Sequence, residues 1–203
     1  MFEIFIGIIS FVGGFIAKYL LDILSQNRNY KLKLYDKIAD KKIRACDIVL
    51  DISKQLRLIQ QSSTHEYFND GTLKRYPIIL KDFDSFYIFW TNLTNEFNSH
   101  STWLDTNTQR ELNFLQDYLI TLNSLMYNIT EEELYKLRED VLYDFIGLSS
   151  DIEKSIKNYY LNDFLKIKII DKIKWHKFKK KETMKKLEQT NLFKTYLTDN
   201  ITK

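Results

Sequence analysis

The sequence predicts an all-α protein: an N-terminal transmembrane helix followed by an antiparallel, up-and-down cytosolic helical bundle. Three observations predict it. The chain of 203 residues opens on an apolar run with no charge between Glu3 and Lys18. It holds one proline and five glycines, and beyond Pro77 only Gly147 belongs to either type, so long helices meet almost no breakers. Apolar positions recur at helical rather than strand spacing through most of the rest.

A spanning helix needs about 20 mostly apolar residues to cross roughly 30 Å of hydrocarbon. Phe2 to Tyr19 is 18 residues, or about 27 Å at the helical rise. Lys18 can extend its ammonium toward the headgroups, and Tyr19 suits the interface. A cleaved signal peptide should open with basic residues and close on a small-residue cleavage site. Here Glu3 is the only charge ahead of the run, and Lys18-Tyr19-Leu20-Leu21-Asp22 follows it. The segment therefore reads as a retained anchor.

Orientation follows from the distribution of bases. None precedes the span; Lys18, Arg28, Lys31, Lys33, Lys37, Lys41, Lys42 and Arg44 follow it. The expected location is the inner membrane, single-pass, with the N-terminus outside and the body cytoplasmic. The lone Cys46 agrees, since one cysteine cannot build an intrachain disulfide framework. Gly7, Ser10, Gly14 and Ala17 fall at spacings of three, four and three. Such a stripe lets two spans approach closely, which makes a second copy of the chain a candidate partner.

The sequence divides into an anchor (residues 1–25), a bundle (26–165) and a basic C-terminal segment (166–203). The first helix can continue as far as about Gln61, on the stripe Leu34, Ile38, Ala45, Ile48, Ile52, Leu56 and Ile59, and a bend at the all-polar patch Ser25-Gln26-Asn27 is equally compatible with the sequence. Ser62 to Thr72, with Asn69-Asp70-Gly71, has turn chemistry. A second helix is expected from Pro77, whose fixed φ suits a first helical position. Its stripe is Ile79, Phe83, Phe86, Trp90, Leu93 and Phe97. A third, from about Asp105 to Asn128, carries Leu112, Leu115, Leu119, Leu122 and Met126. Thr130 with Glu133 forms a capping-box signature for a fourth, whose buried side is Leu134, Leu137, Val141, Phe145, Leu148, Ile152 and Ile156.

The net charge of +3 conceals segregation. Residues 18–44 carry eight bases and three acids; residues 45–165 carry ten bases and nineteen acids; residues 166–186 hold ten lysines against Asp171 and Glu182. The bundle is acidic and both flanks are basic. The second flank interleaves lysines with apolar residues, and three roles stay open for it. Lys172, Lys174, Trp175, Lys177, Lys179, Lys180 and Lys181 suit an anionic inner leaflet, each base near the surface being worth on the order of 1 kcal/mol. The same residues suit a nucleic-acid backbone, with Trp175 or Phe178 stacking. The third role is contact with the chain's own acidic bundle. Lipid leads over nucleic acid because an anchor would hold the segment near the leaflet. Lys166, Lys168, Lys172 and Lys174 alternate with apolar neighbours as in a strand, yet Leu161, Leu165, Ile169 and Ile173 fit a helix. With no other strand to pair with, helix is expected.

No catalytic, metal or cofactor constellation is legible. His65, His100 and His176 stand far apart, and His65-Glu66 lacks the second histidine of a zinc helix. Cys46 beside Asp47 reads as a small buried residue. Ser149 and Ser150 have no nucleophile elbow, and glycine-rich phosphate loops are absent.

The glycine-containing span, the basic exit and the helical body resemble a diffuse class of small bacterial single-pass membrane proteins. The likeness covers Phe2 to Arg44 and carries no functional residue across. It implies a place beside phage-defence or mobile-element functions. The expectation is a membrane-anchored, non-enzymatic interaction module that self-associates or presents its bundle to a cytosolic protein. A membrane-disrupting effector and a tethered nucleic-acid binder are the alternatives.

Overall fold

The computed structural model describes residues 2–63, 73–127, 129–162 and 175–197. For residues 2–17, 62, 63, 73, 131 and 162 it describes the backbone alone. The chain forms two compact units, Met1–Lys41 and Lys42–Lys203. Helix α1 spans Phe2–Leu56. In the first unit its residues 18–37 are all exposed. Among the described residues no helix is long and apolar enough to cross a membrane. The side chains of the apolar leader, including Gly7, Ser10, Gly14 and Ala17, lie outside them.

The second unit is mostly helical, as the spacing predicts. After α1 come strands β1 (Ile59–Ser63) and β2 (Leu73–Pro77), then a 3-10 turn at Ile78–Leu80 and α2 (Phe83–His100). A second 3-10 turn, Ser101–Trp103, leads to α3 (Thr106–Met126), α4 (Glu131–Asp140) and α5 (Leu142–Asn162). The chain ends, among the described residues, with α6 (Lys180–Glu188) and a π-helical turn at Phe193–Leu197.

Cross-helix contacts fix the directions. Ser53 of α1 meets Ser149 of α5, and Lys42 lies over the Tyr159 ring, so these helices run antiparallel. Ser155 donates to Thr108 and Tyr118 packs edge-on against Phe145, so α3 and α5 are antiparallel too. The core between them holds Leu112, Leu115, Tyr118, Leu119, Leu122, Leu137, Phe145 and Ile152, each fully or almost fully removed from water. The α3 and α5 stripes are buried as their spacing predicts.

Four local expectations need correction. Residues 59–63 and 73–77 pair as an antiparallel hairpin, in register Ile59↔Pro77 through Ser63↔Leu73. Ile59-Gln60-Gln61-Ser62-Ser63 has no alternation to announce a strand, and β2 is held from outside. Lys74 Nζ donates to Glu139 at 2.8 Å, and the Arg138 guanidinium lies over the Tyr76 and Tyr135 rings. Pro77 closes β2 rather than opening α2; Asp82 is the N-cap, accepting from the Ser85 amide at 2.6 Å. Of the stripe expected for the second helix, Ile79, Phe86 and Leu93 are buried and Trp90 and Phe97 partly so; Phe83, in the first turn, is 38% exposed, and Phe89 is buried as well.

The expected fourth helix is two helices broken at Val141. Its capping box forms as predicted: Glu133 N donates to Thr130 Oγ1 at 3.3 Å, and Thr130 N to the Glu133 carboxylate at 2.8 Å. No glycine or proline marks the break. Asn191, distant in sequence, donates its side-chain amide to the Asp140 carbonyl at 3.1 Å and so occupies an acceptor of the helical ladder.

The helix expected across 165–178 falls mainly on residues 163–174, outside the described residues. Trp175–Lys179 is not helical, and α6 starts at Lys180, where Glu182 accepts from the Lys179 amide at 3.0 Å.

Candidate functional site

The residues from Trp175 to Leu197 form a strap docked on the α3–α5 face. Arg110 Nε donates to the Trp175 carbonyl at 3.0 Å, and the Asn113 amide donates to the His176 carbonyl at 3.2 Å. Phe178 turns inward and packs edge-on to Phe114, with ring centroids 6.5 Å apart. Farther along, the Asp144 carboxylate accepts from Asn191 N at 2.7 Å and Leu192 N at 2.9 Å, while Tyr196 donates to Asp140 at 2.9 Å. Leu192 is fully buried. The acidic wall thus meets backbone amides and a hydroxyl as well as cations.

Lys186 is the one lysine of the strap that these contacts enclose. Its Nζ reaches Glu111 at 2.5 Å and Asp151 at 3.2 Å, and lies 4.9 and 4.8 Å from the Phe114 and Phe178 ring centroids. Two carboxylates and two ring faces suit a compact ammonium. Burial raises the Glu111 carboxyl above its usual range, partly offset by Lys186. Burial likewise raises Asp144 against the pull of the two amides it accepts. Tyr118, whose hydroxyl also donates to Asp144, is pushed well up by burial and by that carboxylate.

The other candidate residues of the basic segment divide cleanly. Lys172 and Lys174 lie outside the described residues. Trp175, Lys177, Lys179, Lys180 and Lys181 are exposed, as is Lys185. Lys186 and its partners Glu111 and Asp151 were not singled out by the sequence, since one lysine among ten carries no local mark. Only the acidic character of the bundle pointed toward such a contact.

A second surface lies on α2 and α3. Tyr87 stacks on Trp90 with ring planes 3° apart, and its hydroxyl bonds to that of Tyr127. Phe83 sits 6.1 Å from the Tyr127 ring, and Tyr127 itself is 66% exposed. A groove of about 310 Å³ runs between α1 and α2. Ile48, Ile52, Phe89 and Leu93 form its apolar walls, with Asp51, Gln55, Asn92 and Glu96 as polar lining.

Cys46 is fully buried, and burial pushes its thiol up to about 11, so it packs as a small apolar residue and does not present a thiolate. The polar knot of Ser53, Ser149, Glu153 and Arg57 holds α1 to α5: Ser53 bonds Ser149 at 2.8 Å and Glu153 at 3.0 Å, and Arg57 pairs with Glu153 at 2.7 Å. Among the described residues no group of His, Cys, Asp and Glu could hold a metal ion. Comparison with protein families, curated proteins and solved structures finds no match.

Proposed function

We propose that this chain is a membrane-tethered helical module that works by binding, and that the α2–α3 surface of its bundle receives a cytosolic protein. The observation that carries the reading is the aromatic surface of Phe83, Tyr87, Trp90 and Tyr127. Large rings held by stacking and a hydroxyl–hydroxyl bond offer contact area at low entropic cost, the property of residues that dominate interfaces. The tether itself is supported by the uncharged leader and the bases that follow it.

Two experiments test the proposal. Full-length protein should remain with membranes after an alkaline wash, and release by the wash alone would end the tethered reading. A photo-crosslinking residue at position 87 or 127 should give one discrete adduct in cells, lost on Trp90→Ala. No adduct from either position would remove this surface as the binding face. Cysteines placed at Ser10 and Gly14 read self-association separately, through crosslinked dimers in the membrane.

A further inference from the structure

We infer that the docked strap is a peripheral contact for an anionic lipid surface, with Lys177, Lys179, Lys180, Lys181 and Lys185 supplying charge and Trp175 entering the interface. The inference rests on the tethered reading and extends it from the leader to a second, electrostatic attachment on the bundle.

The docking separates the strap's cations by role. Lys186 is used inward, against Glu111 and Asp151. Lys177, Lys179, Lys180, Lys181 and Lys185 are exposed. Their backbone is fastened at both ends, by Arg110 and Asn113 near Trp175 and by Asp144 near Leu192. Binding therefore does not have to order a free tail, which removes a large part of its entropic cost.

The exposed aromatic supports the same partner. Trp175 is 65% exposed, an unfavourable place in water for an indole and a favoured one among headgroups.

The same geometry weighs against nucleic acid. Sequence-tolerant strand binding uses successive exposed rings as stacking platforms. Phe178, the second ring available for this, is turned into the bundle against Phe114. One exposed indole amid lysines fits a lipid interface better than a base stack.

The test uses the full chain reconstituted in vesicles of phosphatidylcholine, alone or mixed with phosphatidylserine, with brominated acyl chains as quencher. Trp90→Phe and Trp103→Phe leave Trp175 as the reporter. Quenching several-fold stronger with phosphatidylserine is expected, falling to background in high salt and in Lys179→Glu/Lys180→Glu/Lys181→Glu. Because the tryptophan changes can disturb folding, a spin label at Lys181→Cys in the otherwise unchanged chain gives a second reading; it should be shielded from an aqueous relaxation agent only when phosphatidylserine is present. Chain that floats with both vesicles but shows neither signal overturns the strap contact and leaves the anchor intact. Chain that fails to float with phosphatidylcholine, yet gives both signals with phosphatidylserine, supports the strap and sinks the anchor. Stronger quenching by single-stranded RNA than by phosphatidylserine vesicles at equal salt overturns the inference and assigns the strap to nucleic acid.

Discussion

Residues 18–37 and residues 45–56 belong to one helix and share one spacing of apolar side chains, yet their surroundings differ completely. Ala45, Cys46, Val49, Ile52 and Leu56 are buried, whereas Leu20, Leu21, Leu24 and Leu34 stay exposed. Local sequence decides that both segments are helical. Whether the apolar face is covered depends on what lies beside it, and the later segment has α2 and α5 of its own unit there. Exposed large apolar residues on the earlier segment mark it as the part of the chain that lacks a partner within its own unit.

The largest effect that would sharpen this contrast is one of location. Deleting residues 2–17 should move the protein, in high salt that cancels the strap's contact, from the membrane fraction to the supernatant and leave the urea midpoint of the bundle unchanged. A fall in that midpoint would show that the first segment stabilises the second, and the contrast would fail.

Next in size come truncations in the two segments and their partners. Phe86→Ala removes a ring that is fully buried and should cost about 3–5 kcal/mol. Leu24→Ala removes a side chain that is 63% exposed and should change bundle stability by less than about 0.5 kcal/mol. Chemical unfolding of the full chain in detergent measures both. A comparable loss from Leu24→Ala would mean that this stretch is packed against something.

The same distinction explains how far the fold could be read beforehand. The α3 and α5 stripes needed only periodicity, and Thr130 with Glu133 needed only capping chemistry, because in each case the cause lies within a few residues of the effect. The hairpin and the break at Val141 have distant causes. Tyr76 is held by Arg138, and the Asp140 carbonyl is taken by Asn191. The candidate site divides in the same way. Its exposed lysines were visible as composition, but the selection of Lys186 depends on Glu111, Asp151 and two phenylalanines brought together by the fold. Tyr87 lies off the apolar stripe of α2, and Tyr127 follows the last residue of α3, so neither carries a periodic mark in the sequence.

A smaller effect is expected at the strap. Lys186→Ala leaves Glu111 largely enclosed without its main partner, at a cost of roughly 1–3 kcal/mol after allowing for partial exposure. Hydrogen exchange should report it as lost protection across 175–197, with α3 and α5 little changed. Lys181→Ala, outward-facing, should leave protection unaltered. Equal loss in both variants would erase the division between inward and outward lysines.

The smallest effects concern acid, and they have opposite signs. Hydrogen bonds from Ser85 lower the Asp82 carboxyl below its ordinary value of 3.8, and those from Thr130 lower Glu133 below 4.5. Depressed folded values contribute stability above the unfolded pKa, and that stability is lost as pH falls through the folded one. Glu111 is raised, so its ionisation favours the unfolded chain, and its contribution to stability is lost as pH rises from 4.5 through the folded value. On acidification the caps weaken the fold while protonation of Glu111 offsets part of that loss. Asp82→Ala should therefore cost about 1 kcal/mol at neutral pH and progressively less in acid. Glu111→Gln removes the offset, so the midpoint should fall more steeply with acid than in the parent chain. A shallower fall would show that the Lys186 pair outweighs burial at Glu111, making the slot a net source of stability at neutral pH.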